Sequence, residues 1–280
     1  MGMSQHMWKT VAQGGVSENV DQAADVAKGA VADAGDHPVI EWGARLGYAA
    51  SGVLHLLLAW LTVQVALGTR TQASQSGALA TVAHQSFGLL LLWLLAVGFG
   101  LLALWQVTEI ATGREVFDKL KAAGKAVMYG VLAWTSFTFA RGGHTSSNKQ
   151  TRDFTRTLME APAGRVLVGL VGVGILGVAG YHIYKGWKQR FLRDLQEHPG
   201  AWAVVAARVG YIGKGIALAA VGVLFIAAAV QQQVRKATGL DGALKSLRDL
   251  PAGTVILIGI ALGLAAYGVY AFARARYARV

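Results

Sequence analysis

The sequence predicts an all-α, polytopic integral membrane protein: six transmembrane helices built as three parallel two-helix repeats in a pseudo-threefold arrangement. Three observations predict it. The composition is 54% hydrophobic and only 15% charged, with a mean hydropathy of +0.43, whereas a soluble domain carries about 25% charged residues. Six stretches supply the roughly 20 apolar residues that a membrane helix needs. Finally, the frame RLGYAASG at 45–52 returns as RVGYIGKG at 208–215, each time opening a long apolar run.

The spans fall at about 44–67, 86–110, 122–140, 163–186, 204–230 and 252–273. Trp42, Trp105, Trp187, Trp202 and Tyr270 stand near their ends, where aromatic rings favour the headgroup level. The third span is short and rich in Ser and Thr. Residues 1–40 are acidic and Ala-rich with no cationic start before an apolar core, so they do not read as a signal peptide. They are expected to form a mobile tail or a surface helix, leaving 41–276 as the membrane domain, with repeats at about 41–113, 114–190 and 203–276.

Charge sets the expected orientation. Net charge is +11, and sixteen of the 26 Lys and Arg fall on the side that holds both chain ends. By the positive-inside rule both termini are expected in the cytoplasm. The opposing loops are themselves basic, with Arg141, Lys149, Arg152, Arg156, Arg235, Lys236, Lys245 and Arg248. There is no cysteine, which excludes disulfides and thiolate chemistry. No nucleic-acid module is visible.

A third, weaker copy of the opening frame places Lys119 with Arg45 and Arg208. In that register Ser51, Lys125 and Lys214 correspond, as do His55, Tyr129 and Leu218. The second helices repeat from GALATVAHQSFG (77–88), DFTRTLMEAPAG (153–164) and GALKSLRDLPAG (242–253). Their far ends read GYHIYKGWK (180–188) and AYGVYAFAR (266–274), aligning Tyr181 with Tyr267 and Tyr184 with Tyr270; the first unit puts Trp105 and Thr108 there. This pattern resembles the bacterial membrane-protein family named for domain of unknown function 1206, over about residues 40–276. The resemblance implies three tandem two-helix repeats and carries no activity. The second repeat departs most, with Lys121 in place of the glycine and Ala122 in place of the tyrosine.

Glycine makes up 36 residues. In lipid, small residues let helix backbones approach and van der Waals contact then holds them. Gly47, Gly52, Gly210, Gly215, Gly177 and Gly263 are expected at such contacts. Arg45, Lys119 and Arg208 sit at the starts of odd-numbered spans, as topological anchors or as a basic ring for an anion or phospholipid headgroup. Lys125 and Lys214 lie about 9 Å deeper, at 1.5 Å rise per residue. An ionisable group at that depth is a candidate binding residue. His55 is a candidate beside them. His182 lies at a different expected depth, so no haem or other cofactor is expected, and His84 and His144 lack metal-ligand spacing. Glu109 is expected to pair with Arg114 at the interface.

Ser51 and His55 share a helix face, but no acid orients the histidine, and no catalytic motif is present. An enzyme ranks last among the readings. The leading one is a protein that binds or transports a small anionic solute or lipid. Its alternative is an accessory subunit packed against a larger membrane complex. Membrane lipids, and in the second case a membrane protein, are the expected partners; nucleic acid is not.

Overall fold

The computed structural model describes residues 38–112 and 115–278, which form nine α-helices and two short 3₁₀ turns. Most of the expected tail, residues 1–37, lies outside the described residues, as does Arg114. The long helices are α1 (Pro38–Ala66), α3 (Gly88–Thr112), α4 (Val116–Ala140), α6 (Gly164–Trp187), α7 (Ala201–Gln231) and α9 (Gly253–Tyr277). Three short helices, α2 (Gln75–Ala83), α5 (Ser147–Glu160) and α8 (Leu240–Arg248), link each odd-even pair at one end. That end is the cap; the opposite one, where α1, α4 and α7 start, is the collar.

Local chemistry explains the boundaries. Pro38 opens α1, where its missing N–H costs nothing. Ser74 caps α2 by accepting from the Gly77 N–H at 3.1 Å. The two Pro-Ala-Gly corners repeat at the level of dihedrals. Ala163 and Ala252 are both left-handed, at φ 58° and 61°, and deliver the chain into α6 and α9.

Five long helices are apolar enough to cross a membrane: Trp42–Ala66, Gly88–Ala111, Gly164–Trp187, Ala201–Gln231 and Gly253–Tyr277. Helix α4 has the same 25-residue length as α9. Asp118, Lys119, Lys121 and Lys125 in its first turns, with Thr135, Ser136 and Thr138 further on, dilute its hydropathy. Of the aromatic end markers, Trp42, Trp187 and Trp202 are exposed as expected, but Tyr270 is not a headgroup ring. It is wholly buried against Phe191 and Tyr211, because the collar turn Arg190–Asp194 folds back over the helix ends.

The long helices stand side by side in the order α4, α3, α1, α9, α7, α6. No packed interface joins the two end members, α4 and α6.

Glycines make most of the close approaches. A methyl group placed on Gly47 would come within 2.6 Å of the Gly98 carbonyl oxygen, between α1 and α3. On Gly263 it would come within 2.6 Å of Gly213 Cα, and on Gly210 within 2.5 Å of the Tyr267 backbone, between α7 and α9. A methyl group on Gly52 would come within 3.0 Å of the Gly268 carbonyl oxygen, and one on Gly215 within 2.9 Å of the Ala179 carbonyl oxygen. Gly177 does not pack: nothing lies within 4 Å of where its side chain would start. It is turned away from α7, which instead contacts α6 through Gly172, Ala179 and Gly186.

At the cap, buried Asp241 accepts from the Ala73 N–H at 2.9 Å, Asn148 Nδ2 at 2.7 Å and Lys245 Nζ at 2.9 Å. These donors come from the loop before α2, from α5 and from α8. One carboxylate therefore ties all three repeats together, and Ser76 and Ser147 add a second link at 2.9 Å. Sequence reading passes over Asp241, because nothing local marks it as the meeting point.

Candidate functional site

The collar half of the bundle holds a cluster of cations set among tyrosines. Lys214 Nζ lies 4.2 Å from the Tyr267 ring centroid. His55 packs against the same tyrosine, with ring centroids 4.6 Å apart and the rings tilted at 47°. Tyr211 meets Tyr267 edge-on at 5.2 Å, and His182 lies 5.7 Å from Tyr211. The two histidines, expected at different depths, thus reach the same pair of tyrosines, and Lys214 acts electrostatically on both.

Each histidine is tied to its own helix. His55 Nδ1 donates to the Ser51 carbonyl at 2.7 Å, and His182 Nδ1 to the Val178 carbonyl at 2.9 Å. A nitrogen facing a carbonyl must carry the proton, so in each neutral ring the lone pair sits on Nε2. Among the described residues no group of three or more His, Asp or Glu is placed to hold a metal ion.

Three further ion pairs surround this centre. Lys125 reaches Glu109 at 3.5 Å, so the described partner of Glu109 is the lysine of the next repeat. Lys185 pairs with Asp194 at 2.5 Å, and Arg274 approaches the same carboxylate at 3.9 Å. Arg274 also lies over Tyr48 at 4.3 Å, and Lys185 over Tyr211 at 5.3 Å. Lys125 stands within electrostatic reach of Arg274, Asp194 and Lys185, which spans α4, α9, the collar turn and α6. Lys214 has no carboxylate within 4.0 Å among the described residues. The Tyr270 hydroxyl and Arg274 Nε are buried without a hydrogen-bond partner.

Of the residues singled out from sequence, Lys125, Lys214 and His55 belong to this centre. Arg45, Lys119 and Arg208 do not converge in any contact with one another. Arg45 donates to the Arg276 carbonyl, Arg208 lies over Trp187 at 5.6 Å, and Lys119 is exposed on the first turn of α4. Lys185, Asp194 and Arg274 were missed. The packing explains why two of them were hidden. Gly52 meets Gly268 and Phe272, and the equivalent Gly215 meets Ala179 and Ile183. That register matches Arg274 to Lys185 and Tyr270 to Tyr181, almost one turn from the alignment of Tyr267 with Tyr181. Gly47 on Gly98 and Leu102, beside Gly210 on Tyr267 and Gly213 on Gly263, brings Glu109 to the same position. A Tyr-x-x-Tyr pattern fits itself after a slip of one tyrosine, which is how the shorter alignment misleads.

The family described as Domain of Unknown Function (DUF1206) matches this chain three times, at residues 46–112, 120–189 and 209–278. The "Uncharacterized protein YxxB" of Bacillus subtilis (strain 168) is 29% identical over 254 residues, covering 86% of this chain and 92% of that protein. No solved structure matches.

Proposed function

We propose that this chain, which belongs to the DUF1206 family, binds or transports a small anionic solute or lipid at the lysine–tyrosine cluster of its collar half. In this reading α4 crosses the membrane as a sixth span. The three repeats stand in a pseudo-threefold arrangement in a bacterial inner membrane, and the collar faces the cytoplasm with both termini.

The observation that carries the reading is Lys214. It sits on an apolar helix, half-buried, with a tyrosine face beneath its ammonium and no carboxylate as partner. Around it Lys125, Lys185 and Arg274 share, among the described residues, the two carboxylates Glu109 and Asp194. Four cations against two carboxylates leave an excess of positive charge in a region of low dielectric, where an unpaired charge is costly. A bound anion removes that cost. The tyrosine faces hold the ammonium in place, and the Nε2 lone pairs of His55 and His182 leave room for a proton on the ligand.

Native mass spectrometry of protein released from gently extracted membranes tests this. The wild-type protein is expected to carry a bound anionic species, and the Lys125→Met/Lys214→Met protein to have lost it. Equal retention in both overturns the site. A membrane protein held at fixed stoichiometry, with no anion in the bundle, transfers the function to an accessory role.

A further inference from the structure

The row of long helices does not close on itself: among the described residues no packed interface joins α4 to α6, and this opening lies within the second repeat. In the other two repeats the odd and even helices pack through glycine: Gly47 on Gly98 in the first, Gly213 on Gly263 in the third. In the second repeat Gly124 on α4 matches Gly213, and Gly174 on α6 matches both Gly98 and Gly263. Neither Gly124 nor Gly174 has any atom within 4 Å of its would-be side chain. Lys121 occupies the place of Gly47 and Gly210; where those repeats have bare backbone it carries a long, exposed side chain, paired with Asp118 on its own helix at 2.9 Å.

The two walls of this opening differ along their length. On α6, Gly172, Ala179 and Gly186 mark the side that faces α7. His182 and Lys185 come next around the helix, towards the cluster, and Gly174, Gly177 and Tyr181 lie beyond them, along the opening. On α4, Lys125 points to the cluster, and Gly124 and Met128 follow it round. Apart from the tyrosine, these wall residues are apolar or bare. At the collar end the walls finish at Lys125 and Lys185, with Lys214 behind them.

An apolar slot that opens sideways to the bilayer and ends where four cations meet two carboxylates has the chemistry of an anionic phospholipid. We infer that one such lipid enters between α4 and α6, lays an acyl chain against Gly174, Gly177 and Met128, and seats its phosphate among Lys125, Lys185 and Lys214. This rests on the anion-binding reading above and adds the ligand class and its route. The phosphate meets the excess charge, and the chain fills the space that the second repeat leaves between its helices.

The test uses the full-length protein, delipidated in mild detergent, with dioleoyl phosphatidylglycerol, dioleoyl phosphatidylcholine or glycerol phosphate added and binding read by native mass spectrometry. Wild type is expected to retain one phosphatidylglycerol. Gly174→Trp and Gly177→Trp fill the slot and leave every lysine in place; each is expected to bind it about tenfold more weakly or worse. Their melting temperatures, expected to match wild type, exclude misfolding, and Gly177→Ala is expected to bind as wild type does. If phosphatidylglycerol binds undiminished in both Trp variants, the lateral route is wrong while the anion site stands. The route is equally wrong if glycerol phosphate binds as tightly as the lipid, or if a second copy of the chain closes the slot. If nothing anionic binds wild type, the anion-binding reading itself fails.

Discussion

The two ends of the bundle hold polar clusters of opposite character. At the cap, an amide, an asparagine and a lysine converge on the buried Asp241 carboxylate, so that its charge is matched, although Asn148 Oδ1 beside it has no partner among the described residues. At the collar, four cations share two carboxylates, one lysine is left to a tyrosine face, and a buried tyrosine hydroxyl has no partner. A cluster whose charges balance holds a fold together, whereas excess like charge away from water carries an electrostatic cost. Under the proposed function, the contrast separates a structural end of this protein from a ligand-binding end.

The largest effect should come from breaking the cap. Asp241→Ala strips three donors of their acceptor, and each buried donor left unsatisfied costs about 1–3 kcal/mol, while Lys245, 38% exposed, turns to solvent. Thermal unfolding in detergent should show a large fall in melting temperature, and an unchanged value would refute the pin. Next comes the contrast between packed and open glycines. Gly263→Leu drives a side chain into Gly213 and should cost about 1–3 kcal/mol. Gly177→Leu enters open space and should stay within about 0.5 kcal/mol of wild type. Equal effects on the melting temperature would mean that the α4–α6 opening is not present in the membrane.

Lys214→Met sharpens the comparison from the collar side. Replacing a half-buried cation that lacks a counter-ion is neutral or stabilising, so the ligand-free protein should melt at or above the wild-type temperature while the bound anion is lost. A clear drop in melting temperature without ligand would make Lys214 a structural residue like Asp241. Lys125→Met should change stability least, by about 0–1 kcal/mol, because its pair with Glu109 is substantially exposed. A related experiment exploits the absence of cysteine. With Gly124→Cys and Gly174→Cys introduced together, disulfide formation should be slow. Adding Lys121→Gly should speed it, since a disulfide requires the two Cα atoms to come within about 7 Å. No acceleration would show that Lys121 is not what holds the helices apart.

The sequence by itself determined the helices, their apolar lengths, the repeated corners at Ala163 and Ala252, and the matching places of Lys125 and Lys214 along their helices. These are legible because each depends on residues close together in the chain: a run of apolar side chains, a proline before a glycine, a count of turns from the helix start. It also exposed the anomaly at Lys121, though not the opening between α4 and α6. Only the tertiary structure decided that Glu109, Lys185 and Arg274 occupy one position, that Asp194 folds back between two cations, that Asp241 joins three repeats, and that Gly177 faces open space while Gly263 is packed. These depend on which face of one helix meets which face of another. In a chain whose helices are apolar on nearly every side, periodicity does not mark the buried face, and the close approach of backbones sets it instead.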